Sequence, residues 1–262
     1  MNPAQVIPAD IKVMNLTALV LLLVFVVYGV VAASRWLVRL PAFDIQAIAV
    51  AGDVNHNNAL TLRANVAPRL SGTFFSVDLA RARAAFEAVP WLRRAVVRRD
   101  FPNRLRVDLQ EHQAVAYWGD ESESRLLNSY GEVFEANTGE VEQDALPRLD
   151  GPDGQSAEVL AMYRALEPLF EQLELPIDQL ELSGGGSWRV WLDSGATVEI
   201  GRGRPDEILQ RAQRFLKTLT QVTARYGRRV NAIESADLRH ESGYAIRLRG
   251  VSTSALVVPT KK

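Results

Sequence analysis

One stretch constrains everything else in this chain. Residues 13–34 carry no charge, between Lys12 and Arg35. As a helix rising ~1.5 Å per residue they would span roughly 33 Å, enough to cross a hydrocarbon core of about 30 Å. Residues 16–33, LTALVLLLVFVVYGVVAA, are apolar all the way round and leave no face for water. Trp36, just past the run, suits a membrane interface. Two other readings compete with a membrane anchor. A buried core helix is seldom this long or this free of polar positions. A cleaved signal peptide would use the small residues Ala32, Ala33 and Ser34, but its apolar region runs about 7–15 residues behind a basic segment. Here only Lys12 and the α-amine precede the run. An uncleaved anchor is therefore expected over 13–34. Nearby charge, Lys12 against Arg35 and Arg39, does not favour the amino terminus inside. Size does: twelve residues precede the run and more than two hundred follow it, as in a tethered ectodomain.

The ectodomain is long enough for two ordinary domains. The chain's net charge is −1, and residues 1–34 contribute zero (Asp10 against Lys12), so the ectodomain is near neutral, which argues against nucleic acid as a partner. With no cysteine, disulfides, thiolate chemistry and cysteine-ligated metals are excluded. His56, His112 and His240 fall in different expected elements, and no pair has metal-ligand spacing. Neither Gly-x-Ser-x-Gly nor Ser-x-x-Lys occurs. Carboxylates are plentiful, but a catalytic pair is recognised only by geometry. No catalytic residue, metal site, cofactor or small-molecule substrate is therefore expected, and a hydrolase is a weak second reading.

Beyond the anchor, 43–52 alternates with a slip near Gln46–Ala47, as in a strand with a bulge or kink. Residues 60–70 suit a short helix, and Asp78 can cap a second that Pro90 stops. Strands are expected over 95–99 and 105–109, around the turn Phe101-Pro-Asn103. Short strands follow at 114–118, 125–128 and 132–135. Residues 146–152 are expected to be extended without regular pairing, because of Pro147 and Pro152. A helix over 157–173 and a short strand over 180–182 lead to Ser183-Gly-Gly-Gly-Ser187, expected as a flexible connection. The alternation 188–192 and 196–200 around Asp193-Ser-Gly195 predicts a hairpin. Pro205 then opens a helix with the stripe Ile208, Ala212, Phe215, Leu219 and Val222. Residues 233–239 and 243–249 read as a last pair of strands, and 251–262 as a loose tail.

In this order the chain carries Ile48-Ala-Val-Ala-Gly52, Gly72-Thr-Phe-Phe-Ser-Val-Asp-Leu79, Phe101-Pro-Asn-Arg-Leu105, Leu127-Asn128 with Gly131-Glu-Val-Phe134, Leu149-Asp-Gly-Pro152, Ile200-Gly-Arg202 and Asp237-Leu-Arg239 with Gly243-Tyr-Ala245. Each is weak alone. Together with the single anchor, they resemble the bacterial cell-division family FtsQ/DivIB over nearly the whole chain. The resemblance implies an α+β architecture: a cytoplasmic tail over 1–12, one transmembrane helix over 13–34 and a POTRA domain over 43–111. A β domain with an antiparallel sheet and two to three helices would follow over 112–250. It implies a non-enzymatic, single-pass inner-membrane component of the division apparatus with its bulk in the periplasm, concentrated at the septum. Such a protein binds FtsB and FtsL and helps recruit the septal peptidoglycan synthesis machinery. The rival is a POTRA chaperone or secretion receptor; those usually precede a β-barrel, and no alternating strands of ~10 residues follow here.

The resemblance places the FtsB contact on the last strand, with Arg202, Arg239, His240, Ser242, Gly243, Tyr244, Ile246 and Leu248 as candidates. His240 and Leu248 stand where the family often has aromatic residues. The residues alone leave two readings open. Tyr244, Ile246 and Leu248 supply choice to an incoming strand at a sheet edge, or they face the core while Arg247 and Arg249 guard that edge. If the first holds, Tyr244→Lys or Leu248→Lys abolishes binding without unfolding. Arg202 lies in Gly201-Arg-Gly-Arg204, which lacks the spacing of a phosphate loop and reads as a turn into a helix; the resemblance makes it a contact for an acidic partner residue. Val97, Arg98 and Arg99 are candidate contacts of the POTRA domain with other division proteins.

Overall fold

The computed structural model describes residues 9–38, 40–57, 59–70, 72–120, 122, 125–141, 146–240 and 243–251. Residues 1–8 of the expected tail, Ser242, and 252–262 of the expected loose end lie outside them. The anchor is a helix, α1 (Ala9–Val38), and residues 13–36 within it are long and apolar enough to cross a membrane. It begins inside the stretch expected as tail. Nothing in Ala9-Asp-Ile-Lys12 breaks a helix already nucleated by the apolar run, and Pro8 stands just before it.

The chain divides into compact units at Glu111/His112. In the first, β1 (Ala47–Asp53), α2 (Ala59–Val66), α3 (Leu79–Glu87), β2 (Leu92–Asp100) and β3 (Arg104–Glu111) follow α1. The sheet order is β1-β3-β2, with β1 parallel and β2 antiparallel to the central β3. The expected strand over 43–52 starts only at Ala47. Pro41 sets a 3-10 turn, Pro41–Phe43, and Asp44 makes a lone bridge to Thr73. Asp78 caps α3 as its position predicts, accepting from the amides of Ala80 and Arg81 at 2.9 and 3.1 Å. Phe86, Leu62, Val107 and Leu109 pack the core between helices and sheet. Gly52 faces Leu109 across the β1–β3 register with φ +114°, and a Cβ there would collide with the Leu109 carbonyl oxygen. Glu111 closes β3 by accepting from the amides of Asn55, His56 and Asn57 at 2.8–3.0 Å. Burial alone would raise its carboxyl; those hydrogen bonds outweigh burial and hold it below the usual range.

The second unit is built on a nine-stranded sheet. Its strands are β4 (Ala114–Trp118), β5 (Arg125–Asn128), β6 (Val133–Glu135), β7 (Arg148–Asp150), β8 (Ile177–Leu182), β9 (Ser187–Leu192), β10 (Thr197–Arg202), β11 (Ile233–Asp237) and β12 (Ala245–Leu248). The order is β12-β11-β10-β9-β8-β7-β4-β5-β6. Five of its eight junctions are antiparallel; β10–β11, β7–β8 and β4–β7 are parallel, so the sheet is mixed. Two helices, α4 (Ser156–Glu171) and α5 (Pro205–Arg225), bury Leu166, Phe170, Ile208 and Phe215 in one core with Leu180, Val190, Val198 and Ile200 of the sheet. The opposite face mixes charged and aromatic side chains, and on it Arg189 of β9 lies over Trp191 and pairs with Glu181 and Glu199 on the flanking strands.

Two expectations fail here. Residues 148–150 are a paired strand, β7, inside the sheet: Pro147 and Pro152 flank it without entering, and Pro147 still offers a carbonyl, to the Tyr117 amide at 2.9 Å. Ser183-Gly-Gly-Gly-Ser187 is a tight hairpin between β8 and β9, closed by Ser183 N–H to Ser187 O at 2.9 Å and Gly186 N–H to Ser183 O at 2.8 Å.

Candidate partner-binding edge

β12 is the terminal strand of the large sheet, and among the described residues no strand pairs with its outer side. Arg249 donates its amide to Ala232 O on the β11 side at 2.8 Å. Backbone groups alternate sides along a strand, so the amides of Leu248 and Ile246 point away from β11, to the open edge. Such amides are ready to pair with an incoming strand.

The side chains divide in the opposite sense. Tyr244, Ile246 and Leu248 turn toward the helices and join the core; Leu248 is only 5 % exposed. Tyr244 sets its ring edge-on to Phe215 of α5 at 5.0 Å between centroids, and its hydroxyl meets the Thr218 hydroxyl at 2.8 Å. Of the two readings that the sequence left open, these three side chains fit the core-facing one. The outer face of β12 shows Ala245 and Arg247, the latter 3.4 Å from Glu234 on β11. Leu248→Lys would bury a charge in the core and unfold the unit, so it is no test of binding.

The remaining candidates gather where β10 and β11 end. Arg239 holds Asp237 in a two-pronged ion pair, Nε to Oδ1 at 2.9 Å and an Nη to Oδ2 at 2.6 Å. The Arg239 hydrogen bonds keep the Asp237 carboxyl down at about 2. The Arg239 stem lies over Gly201, whose φ is +91° and whose added Cβ would stand 2.8 Å from the Arg239 Cγ. Arg211 of α5 donates to the carbonyls of Ile200 and Arg202 at 3.2 and 2.6 Å. Arg202 is exposed, its guanidinium beside Gly185 of the β8–β9 hairpin. His240 and Gly243 are exposed on the connection between β11 and β12. Arg202 and Arg239 are thus brought together, with Tyr244 at the same end of the edge and Leu248 at the other. Sequence reasoning passed over Asp237, Arg211 and Thr218 as supports. The Asp-x-Arg spacing was the available signal for the first.

In the first unit, Val97 packs half-buried on the core, and Arg98 reaches Asp108 of β3 at 3.3 Å. Arg99 donates to the carbonyls of Phe74 and Val77 at 2.7 and 2.8 Å, tying β2 to the loop before α3. The histidines stay apart: His56 stacks on Trp91, His112 on Phe134, and His240 is exposed. Among the described residues, no group of three His, Asp or Glu is placed to hold a metal ion.

Comparison with known proteins follows the same division. Residues 43–112 match the model of the POTRA domain, FtsQ-type, and residues 116–239 that of the cell division protein FtsQ/DivIB, C-terminal. The second match stops short of β12. The cell division protein FtsQ of Burkholderia pseudomallei is 40% identical over 92% of this chain and 94% of its own length. Those of Thiomonas arsenitoxydans and Bordetella pertussis are 38% and 35% identical, over 94% and 91% of this chain and 90% and 92% of theirs. With both units matched in order and relatives aligned over nearly the full length, the chain belongs to the FtsQ/DivIB family of cell-division proteins.

Proposed function

We propose that this chain, a non-catalytic component of the division apparatus, binds FtsB and FtsL in the periplasm and helps bring the septal peptidoglycan synthesis machinery to mid-cell. In this reading α1 crosses the inner membrane once with the amino terminus in the cytoplasm. Residues 43–111 form the POTRA domain and 112–250 the β domain, and the protein concentrates at the septum. The observation that carries the partner assignment is the open outer edge of β12, with the amides of Ile246 and Leu248 directed outward. A strand of FtsB adds there by main-chain pairing. Arg202 and Arg239, with His240 and Gly243, meet the partner at the end of the edge where Tyr244 sits. Arg98, exposed on β2 at one edge of the small sheet, is the residue of the POTRA trio offered to a second division protein.

The test is binding of the detergent-solubilised full chain to the periplasmic segments of FtsB and FtsL together. Ile246→Pro removes one outward amide and leaves the β11–β12 bonds in place. A loss of about 1 kcal/mol, roughly fivefold or more in affinity, is expected in a folded variant. Unchanged binding by the folded variant would place the contact elsewhere.

A further inference from the structure

We infer that the end of the small domain nearest α1 docks on the lipid surface through Phe75 and Phe101. Of the phenylalanines outside α1, these are the two that are exposed among the described residues, at 46 % and 73 %. They share one aromatic cluster. Phe75 meets Phe43 and Phe74 edge-on at 4.9 and 5.1 Å, and Phe74 meets Phe101 at 6.0 Å.

The backbone ties this cluster to the end of the anchor. Thr73 donates its hydroxyl to Val38 O, in the last turn of α1, at 3.0 Å. Phe74 N–H meets Phe43 O at 2.7 Å, Gln46 N–H meets Asn103 O at 3.0 Å, and Arg99 holds the Phe74 carbonyl at 2.7 Å. The loop 72–76 and the β2–β3 turn therefore converge where the chain leaves the helix. Val38 lies four residues past Ser34, the last of the uncharged run, or ~6 Å along the helix. The polar layer on each side of the hydrocarbon core is about 5–8 Å deep. Loop 72–76 thus stands at headgroup level, where aromatic rings are favoured. Continuity with the membrane-crossing helix picks out the bilayer, rather than a protein, as the occupant of this apolar tip.

The inference rests on α1 crossing a membrane, and the test separates the two. The chain has no cysteine, so single reporters need no background removal. Nitroxides are placed on Arg104→Cys, beside the tip, and separately on Val24→Cys in the apolar run, in the full chain reconstituted into phosphatidylcholine–phosphatidylglycerol vesicles. Collision with oxygen, which partitions into lipid, is compared with collision with a water-soluble nickel chelate. The Arg104 site is expected to show an interfacial ratio, and Phe101→Ser, alone and with Phe75→Ser, is expected to return it to the aqueous value while far-UV circular dichroism stays unchanged. An aqueous ratio in the parent, with Val24 deep in lipid, overturns the docking and leaves the anchor. An aqueous ratio at Val24 overturns the anchor and the docking with it. Protection at Arg104 that fades as protein is diluted tenfold in lipid assigns the tip to a protein contact and likewise overturns the inference.

Discussion

The small sheet ends in β2 and the large one in β12, and these two strands manage their open edges in opposite ways. β2 is nine residues long and carries Arg93, Arg94, Arg98 and Arg99. Basic side chains along an edge discourage a foreign strand. Arg98 and Arg99 are also engaged within the unit, by Asp108 and by the carbonyls of the 74–77 loop. β12 is four residues long, with Arg247 its one charge. It is protected by brevity, and its alternate side chains are turned into the core. The lesson is that an edge is read by what its side chains are already doing. β2 presents charge over occupied geometry, whereas β12 presents backbone held rigid from behind by Phe215 and Thr218.

If rigidity from behind is what keeps β12 usable, Phe215→Ala attacks it at the root. Truncating a fully buried phenylalanine costs about 3–5 kcal/mol, and here it also removes the ring against which Tyr244 stands. Amide exchange at 244–248 should accelerate strongly while that of β2 and β3 is unaffected. Equal acceleration in both sheets would show that the two edges do not report on separate units. The matched blow to the other side is Gly52→Ala. A left-handed φ and a collision with the Leu109 carbonyl should cost about 3 kcal/mol in unfolding of the small domain and leave β12 intact.

A proline pair sharpens the account of β12 itself. The amide of Ile246 points outward and that of Arg247 toward β11. Arg247→Pro should therefore destabilise the domain by about 2 kcal/mol more than Ile246→Pro in chemical unfolding, because it breaks a ladder bond. A larger loss for Ile246→Pro would mean that the alternation is misassigned and that the free amides belong to the odd-numbered residues.

Much of this architecture was legible in the residues. The apolar run is a helix of membrane-crossing length, as expected; the alternations 188–192 and 196–200 gave β9 and β10; Pro205 and the stripe behind it gave α5. What misled was local chemistry overruled by neighbours. Prolines at 147 and 152 argued against pairing, yet three residues between them suffice when β4 and β8 lie on either side. Three consecutive glycines read as slack, yet Ser183 and Ser187 close them into a hairpin. At the candidate site the alternation of Tyr244, Ile246 and Leu248 was plain, but alternation does not say which face is buried. Only the packing of α5 decides that, and it separates the side chains from the backbone edge.

Asp237 offers a smaller, pH-dependent test of the end of that edge. Its carboxyl ordinarily titrates at 3.8 and is held at about 2 by Arg239. A depressed carboxyl contributes stability above its unfolded value and loses it as pH falls through the folded one. The pair's contribution should be complete above about pH 4 and gone near pH 2. With the arginine well exposed to solvent, that contribution is small. Asp237→Asn should remove that slope from the unfolding free energy between pH 4 and pH 2. It should also free the guanidinium for an acidic partner residue. Affinity that falls in the variant would mean that the ion pair shapes the edge rather than competing for Arg239.

The smallest effect is expected beside the strand, at Gly243. Its φ is not left-handed, and a Cβ built there meets nothing within 4 Å. Gly243→Ala should thus change unfolding by no more than about 0.5 kcal/mol, and the sign favours stability, since alanine restricts the unfolded chain. Partner affinity should be unchanged if the partner meets Gly243 with room for one more methyl group. A tenfold loss with stability preserved would mean that the incoming chain passes so close to residue 243 that one methyl group excludes it. The usable edge would then extend past the end of β12, and the contrast with the long, guarded β2 would rest on accessibility rather than on length.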